Sequence, residues 1–127
     1  MNIVLDTSIL IELENGNKNV INKLEELKKL YPAPPKISFI SYFEFLYGLR
    51  NKSIKNKDKS LAFLNRFSII SITKNTANFL VNFKQKYELP LADLLIAAQV
   101  EETNGVLVTK DNDFNMIEEI EKSIILN

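Results

Sequence analysis

Asp6, Glu44, Asp93, Asp111 and Asp113 are the side chains of this 127-residue chain whose types and placing could do chemistry. Asp6 closes the apolar run Ile3-Val4-Leu5 and precedes Thr7-Ser8 and a second run, Ile9-Leu10-Ile11. Taken alone it fits an N-cap, a role Asp fills well. Glu44 shares a narrow small-residue strip with Ser41 and Gly48, and its spacing from Ser41 also suits a capping box. On a helix, Asp93 shares its face with Ile96, Ala97 and Val100. The helix dipole favours an acid in a first turn. It does not account for an acid on an apolar face, which is costly unless the acid is paired or coordinated. Asp111 and Asp113 follow the apolar run Val106-Leu107-Val108, and two acids are a heavy allocation for one helix cap.

Each acid sits at the end of a strand candidate or in the first turns after one. In a parallel sheet such positions share one edge. Close carboxylates repel, by about 4 kcal/mol per pair near a protein surface, and a divalent cation removes that repulsion. The chain has neither cysteine nor histidine. Thiolate and imidazole ligands, disulfides and nucleophile–histidine catalysis are therefore excluded. With oxygen donors alone the metal should be hard, Mg²⁺ or Mn²⁺.

The elements that must position these acids alternate. After the first strand and short helix comes the turn Asn15-Gly16-Asn17. Val20, Ile21, Leu24, Leu27 and Tyr31 then recur at helical spacing up to the prolines that begin at Pro32. Ile37 to Ile40 reads as a strand, followed by a helix capped at Ser41 and carrying Phe43, Leu46, Tyr47 and Leu49. Arg50 to Lys59 is a basic stretch, and Leu61 to Phe67 marks a further helix. Ile69 to Ile72 reads as a strand. Thr73 then caps a helix with Ala77, Leu80, Phe83 and Tyr87 on its apolar face. Ala92 to Thr103 is a helix stopped by Asn104-Gly105. Val106 to Val108 is a strand, Asp113 to Ile117 a short helix, and Ile124 to Leu126 a last strand. This order predicts βαβ units: one α/β domain over residues 1–127, with a parallel sheet covered on both faces.

Hydrophobic residues make up 46%, enough for a core without staples, and 16 basic residues balance 16 acidic ones. No run suits a membrane span, and Met1 leads straight into a strand without a leader-like segment. A cytoplasmic protein is expected.

Four segments in order, LDTSILIE, FISYFEFLYGL, LPLADLLIAAQ and VLVTKDNDFNMI, together resemble the PIN-domain family. Within it the chain is similar to the small ribonuclease toxins of VapBC toxin–antitoxin pairs. The resemblance implies a three-layer α/β/α fold with a five-stranded parallel sheet. It also implies metal-dependent hydrolysis of RNA and an acidic site of Asp6, Glu44, Asp93 and a fourth acid, with Asp111 favoured over Asp113. Thr7, Ser8 and Thr109 look like the polar residues lining that site. An antitoxin partner and a homodimer are also implied, the latter with Phe39, Tyr42, Phe43, Phe45 and Tyr47 as interface candidates. The basic stretch falls where such toxins have helices that contact RNA or antitoxin, although a solvated loop is an equal reading.

Two phosphotransfer folds fit less well. A haloacid-dehalogenase-type site needs an acid where Ser8 stands, and a receiver-type site needs one ending the third strand, where Ile72-Thr73 stand. A non-catalytic PIN-like module that binds RNA or protein is the alternative of a different class.

Overall fold

The structure is a computed structural model that describes residues 1–125. Its elements run β1 (Asn2–Leu5), α1 (Thr7–Glu14), α2 (Lys18–Leu30), β2 (Lys36–Ser38), α3 (Phe39–Gly48), α4 (Ile54–Leu64) and β3 (Ser68–Ile70). They continue with α5 (Lys74–Lys86), α6 (Leu91–Glu102), β4 (Gly105–Thr109), a 3₁₀ turn (Asn112–Met116) and β5 (Glu121–Ile124). The strands form one sheet of five, ordered β3-β2-β1-β4-β5, and every pairing is parallel. The expected α/β/α architecture is present.

Alternation along β1 divides the core. Ile3 and Leu5 join Ile9, Leu10, Val20, Phe45 and Leu64 on one face. Val4 joins Phe83, Leu94, Ala97, Leu107 and Phe114 on the other. A strand buried on both faces reads as a continuous apolar run, as β1 and β4 do. Helix α6 is apolar almost all round, with Leu94, Ile96, Ala97, Ala98 and Val100 buried. Such a helix belongs in an interior.

Several boundaries differ from expectation. Helix α3 begins at Phe39, and its cap is Ser38, whose hydroxyl accepts from Ile40 N at 3.2 Å. Phe39 and Ile40 therefore belong to the helix and not to β2. Ser41 lies buried inside α3 with no partner for its hydroxyl among the described residues. The Ser41–Glu44 capping box does not form, which leaves Glu44 available for other contacts. The basic stretch splits, its second half forming α4 behind a Ser53 cap. Strand β3 ends at Ile70, before the expected Ile72. In α5, Ala77 faces outward, while the buried residues are Thr76 and Phe83. Strand β5 lies earlier than the apolar run that suggested it, and Leu126 lies outside the described residues.

The stop after α6 has two parts. Asn104 takes the left-handed conformation, φ 52°, which Asn tolerates. Gly105 is needed for closeness: a Cβ there would sit 2.8 Å from Val4 Cγ2. The glycine lets β4 start flush against β1, and that pairing decides which residues meet at the far ends of the two strands.

Candidate active site

The chain builds the sheet outward from β1, through β2 to β3, then crosses to β4 on the other side of β1. The crevice beyond the carboxyl ends of β1 and β4 is therefore the topological switch point, where open α/β sheets bind ligands. Leu5 pairs with Val108, and Asp6 N donates to Val108 O at 3.3 Å. Asp6 and Thr109 are thus the first residues of the two strands to meet in the crevice.

Asp6 is only 4% exposed. Its Oδ1 accepts from Ile9 N at 3.2 Å and from Ser8 Oγ at 2.7 Å. Its Oδ2 accepts from the Thr109 hydroxyl. Asp6 does cap α1, so the cap and the site are one residue. The contacts run on. Ser8 Oγ accepts from Lys110 N at 3.2 Å, and Thr109 Oγ1 accepts from Asp111 N at 2.9 Å. Asp111 in turn caps the 3₁₀ turn by accepting from Asp113 N at 2.9 Å. Burial pushes the Asp6 carboxyl above the usual range, against the pull of Ser8, Thr109 and Ile9, and Asp111 adds a further upward push.

Glu44 lies on the exposed side of α3 and accepts from Thr7 Oγ1 at 2.6 Å. Thr7 thereby links α1 to α3, a role its place beside Asp6 did not reveal. Glu44 also walls a cleft of about 320 Å³ with Ile11, Phe45 and Lys52.

Asp93 occupies the first turn of α6, behind a Pro90 cap that supplies no side-chain bond. Its carboxyl is pushed up to about 6, first by burial and then by the charges of Asp111, Asp113, Glu44 and Asp6. The other four acids singled out in the sequence therefore all act on Asp93. Among the described residues no cation forms an ion pair with Asp93.

The donor set suits a hard divalent cation: carboxylates only, mutually repelling, with Asp6 fixed by three hydrogen bonds. A carboxylate offers about four acceptor positions, so one remains on Asp6. Outer contacts of this kind orient metal ligands. The shell is not closed, however. Among the described residues no group of three or more acids is arranged to hold a metal ion as it stands.

Sequence reasoning missed Gln99. It is wholly buried. Its Oε1 accepts from Phe39 N at 2.9 Å and its Nε2 donates to Ile70 O at 2.7 Å. It ties α6, which bears Asp93, to the start of α3, which bears Glu44. The signal was present: Gln99 is the one polar residue between Leu94 and Val100.

The fold and this edge define an open parallel α/β domain with a carboxylate-lined crevice at its switch point. The chain belongs to the PIN domain family, whose model matches residues 3–120. Among solved structures it is similar to a toxin–antitoxin complex from Klebsiella pneumoniae, at 28% identity and TM-score 0.79, covering 98% of this chain and 100% of that one. It is also similar to VapBC2 from Rickettsia felis bound to a promoter DNA fragment, at 27% identity and TM-score 0.82, covering 98% and 99%. VapBC-1 from nontypeable Haemophilus influenzae shares the fold, at 22% identity and TM-score 0.76, covering 98% of each chain. A comparison with curated proteins gave no match.

Proposed function

We propose that this chain is a metal-dependent endoribonuclease, the toxin of a type II toxin–antitoxin pair, acting in the cytoplasm. The observation that carries the reading is Asp93, held up to about 6 by burial and by four acids from other parts of the chain. Accumulated negative charge with no paired cation among the described residues calls for one from solution. Asp6, Glu44, Asp93 and Asp111 would hold it. Asp111 is preferred to Asp113 because its charge acts on both Asp6 and Asp93. Bound there, Mg²⁺ or Mn²⁺ supplies charge neutralisation and Lewis acidity for water attack on a phosphodiester. The protein's own part is positional. Ser8, Thr109 and the Ile9 amide aim Asp6 and offset part of the upward push of burial on its carboxyl, and Thr7 steadies Glu44. The proton of the attacking water goes to a carboxylate of the set, since the chain has no imidazole.

The partner is suggested by the neighbours, which are complexes with antitoxins; an antitoxin protein is proposed here too. A homodimer is proposed too. Of the five aromatics named for it from the sequence, Phe45 is in the core and Tyr42 packs against it, whereas Phe39, Phe43 and Tyr47 are exposed. Leu80, Val81 and Leu91 line a second exposed apolar surface, a depression shared with Ala77. Light scattering that finds only monomer at high concentration would count against the dimer.

The unclosed shell is the observation that favours the rival, a non-catalytic RNA- or protein-binding module. Incubation of purified protein with structured RNA separates the two. Hydrolysis with Mn²⁺ that stops on chelation and in Asp6→Asn supports the nuclease. Hydrolysis that persists in both would overturn it, and RNA binding without hydrolysis would establish the rival.

A further inference from the structure

Helix α3 turns Phe43 and Tyr47 outward, four residues apart on one face, and Arg50, in the turn that follows the helix, folds back onto Tyr47. Phe43 and Tyr47 are 50% and 57% exposed. Their rings lie 14° from parallel with centroids 5.9 Å apart. The Arg50 guanidinium lies 4.0 Å from the Tyr47 ring centroid and donates to Tyr47 O at 2.8 Å. Aromatic side chains carry most of their value when buried, so two adjacent rings left half in water are an unfilled surface. Glu44 is the neighbour of Phe43 and lies three residues before Tyr47, which puts this array beside the acidic edge.

We propose that Phe43, Tyr47 and Arg50 form a stacking platform for the bases of single-stranded RNA, next to Glu44. The proposal rests on the ribonuclease reading and adds a base-binding subsite to it. Unpaired bases are recognised by stacking on aromatic rings and on guanidinium planes. Charge selects the occupant. Arg50 brings a positive charge onto the Tyr47 ring, and Lys55, Lys57 and Lys59 follow it in the chain, while Lys52 is paired with Glu14 at 3.3 Å. A phosphate backbone meets the opposite sign. Stacking would hold the bases while the basic residues after the platform follow the backbone, leaving a phosphate free to reach the acids.

The test measures binding of two labelled strands of equal length, an oligoadenylate and an abasic strand, by fluorescence anisotropy at low salt with chelator. Wild type should prefer the base-bearing strand. Tyr47→Leu keeps the bulk and removes the π-face. It should weaken oligoadenylate binding about tenfold, in keeping with the usual value of one base–aromatic stack, and leave the abasic strand unaffected. Tyr47→Trp should retain the preference. A Tyr47→Leu protein with the wild-type preference overturns the platform. So does one whose RNA binding is intact while its dimer or antitoxin affinity falls, since the face would then belong to a protein. If wild type hydrolyses RNA with Mn²⁺ yet binds both strands equally, the platform alone fails. If wild type neither binds nor hydrolyses RNA, the ribonuclease reading fails and takes the platform with it.

Discussion

Two carboxylate clusters in this fold are treated in opposite ways. At the far end of α5, Glu119 accepts from Lys86 Nζ at 3.0 Å and from the Tyr87 hydroxyl. Burial pushes Glu119 up, but these two bonds outweigh it and its pKa ends lowered. At the crevice, Asp6 and Asp93 both end raised. The nearest lysine of the sequence, Lys110, turns its Nζ toward Glu12, 3.8 Å away. Glu119 has its counter-charge within the chain; the crevice acids are given hydroxyls that aim Asp6 and, among the described residues, no cation that pairs with Asp6 or Asp93. Glu119, which fastens a loop, is paired; on the proposed reading, the acids left repelling one another at the crevice are there for a ligand.

The largest effect that would sharpen this contrast is on activity. Asp6→Asn and Asp93→Asn should each lower RNA hydrolysis in Mn²⁺ by on the order of a hundredfold or more, while Glu119→Gln leaves it unchanged. Even outer-shell partners of metal ligands are worth roughly 10–100-fold, and a direct ligand should exceed them. Initial rates on one structured RNA decide it; equal losses at Glu119 and Asp93 would erase the distinction between the clusters. A step smaller is Thr109→Val, which removes the hydroxyl that donates to Asp6 Oδ2 and leaves Asp111 N without its acceptor. Mn²⁺ affinity by calorimetry should fall about 10–100-fold.

Much of this was legible in the sequence, for local reasons. The crevice strands β1 and β4 are unbroken apolar runs, with Asp6 and Asp111 close behind them; Asp93 departs from the expected placing, since its helix α6 follows α5 and not a strand. What escaped was set by distance or by edges. Ser41 looked like the cap because Phe39 and Ile40 are apolar and short apolar runs do not distinguish strand from helix; the actual cap lies three residues earlier. The strand β5 opens with Glu121-Lys122, which β-propensity does not select, because an edge strand is held by its pairing with β4. The Gln99 strut depends on partners 60 and 29 residues away. The five acids could be named, but the convergence of the other four on Asp93 required the fold.

The two clusters should also have opposite pH signatures without metal. Asp93 rises from 3.8 to about 6 on folding. Between those values the folded chain keeps a proton that the unfolded chain has released. Stability therefore falls as pH rises through that window, by roughly 1 kcal/mol once solvent screening is allowed for. Asp6 shifts in the same direction. Glu119 is lowered from 4.5, so its contribution is present above that value and is lost as pH falls through its folded pKa. Melting temperature against pH in chelator should decline less steeply toward pH 6 in Asp93→Asn, where only the Asp6 part remains, and keep its full decline in Glu119→Gln. An unchanged decline in Asp93→Asn would place the repulsion elsewhere.

The smallest effect discriminates most sharply, because it is an expected absence of loss. Removing a carboxylate that holds structure together costs stability, roughly 1 kcal/mol for a cap or a buried hydrogen bond. Removing one that four neighbouring acids repel should cost nothing and relieve a little. Apo Asp93→Asn should therefore melt at or slightly above the wild-type temperature at neutral pH, while Glu119→Gln melts below it. Added Mn²⁺ then reverses the ranking. Wild type should gain stability as RT ln(1 + [L]/Kd), about 2.7 kcal/mol at a hundredfold excess over Kd. Glu119→Gln should gain as much, its crevice being intact. Asp93→Asn should gain much less, having lost one ligand and the repulsion that the cation relieves. The decisive pair is apo Asp93→Asn and metal-saturated wild type. If the mutant is clearly destabilised and the wild type is indifferent to Mn²⁺, Asp93 is scaffolding like Glu119, and the two clusters are of one kind.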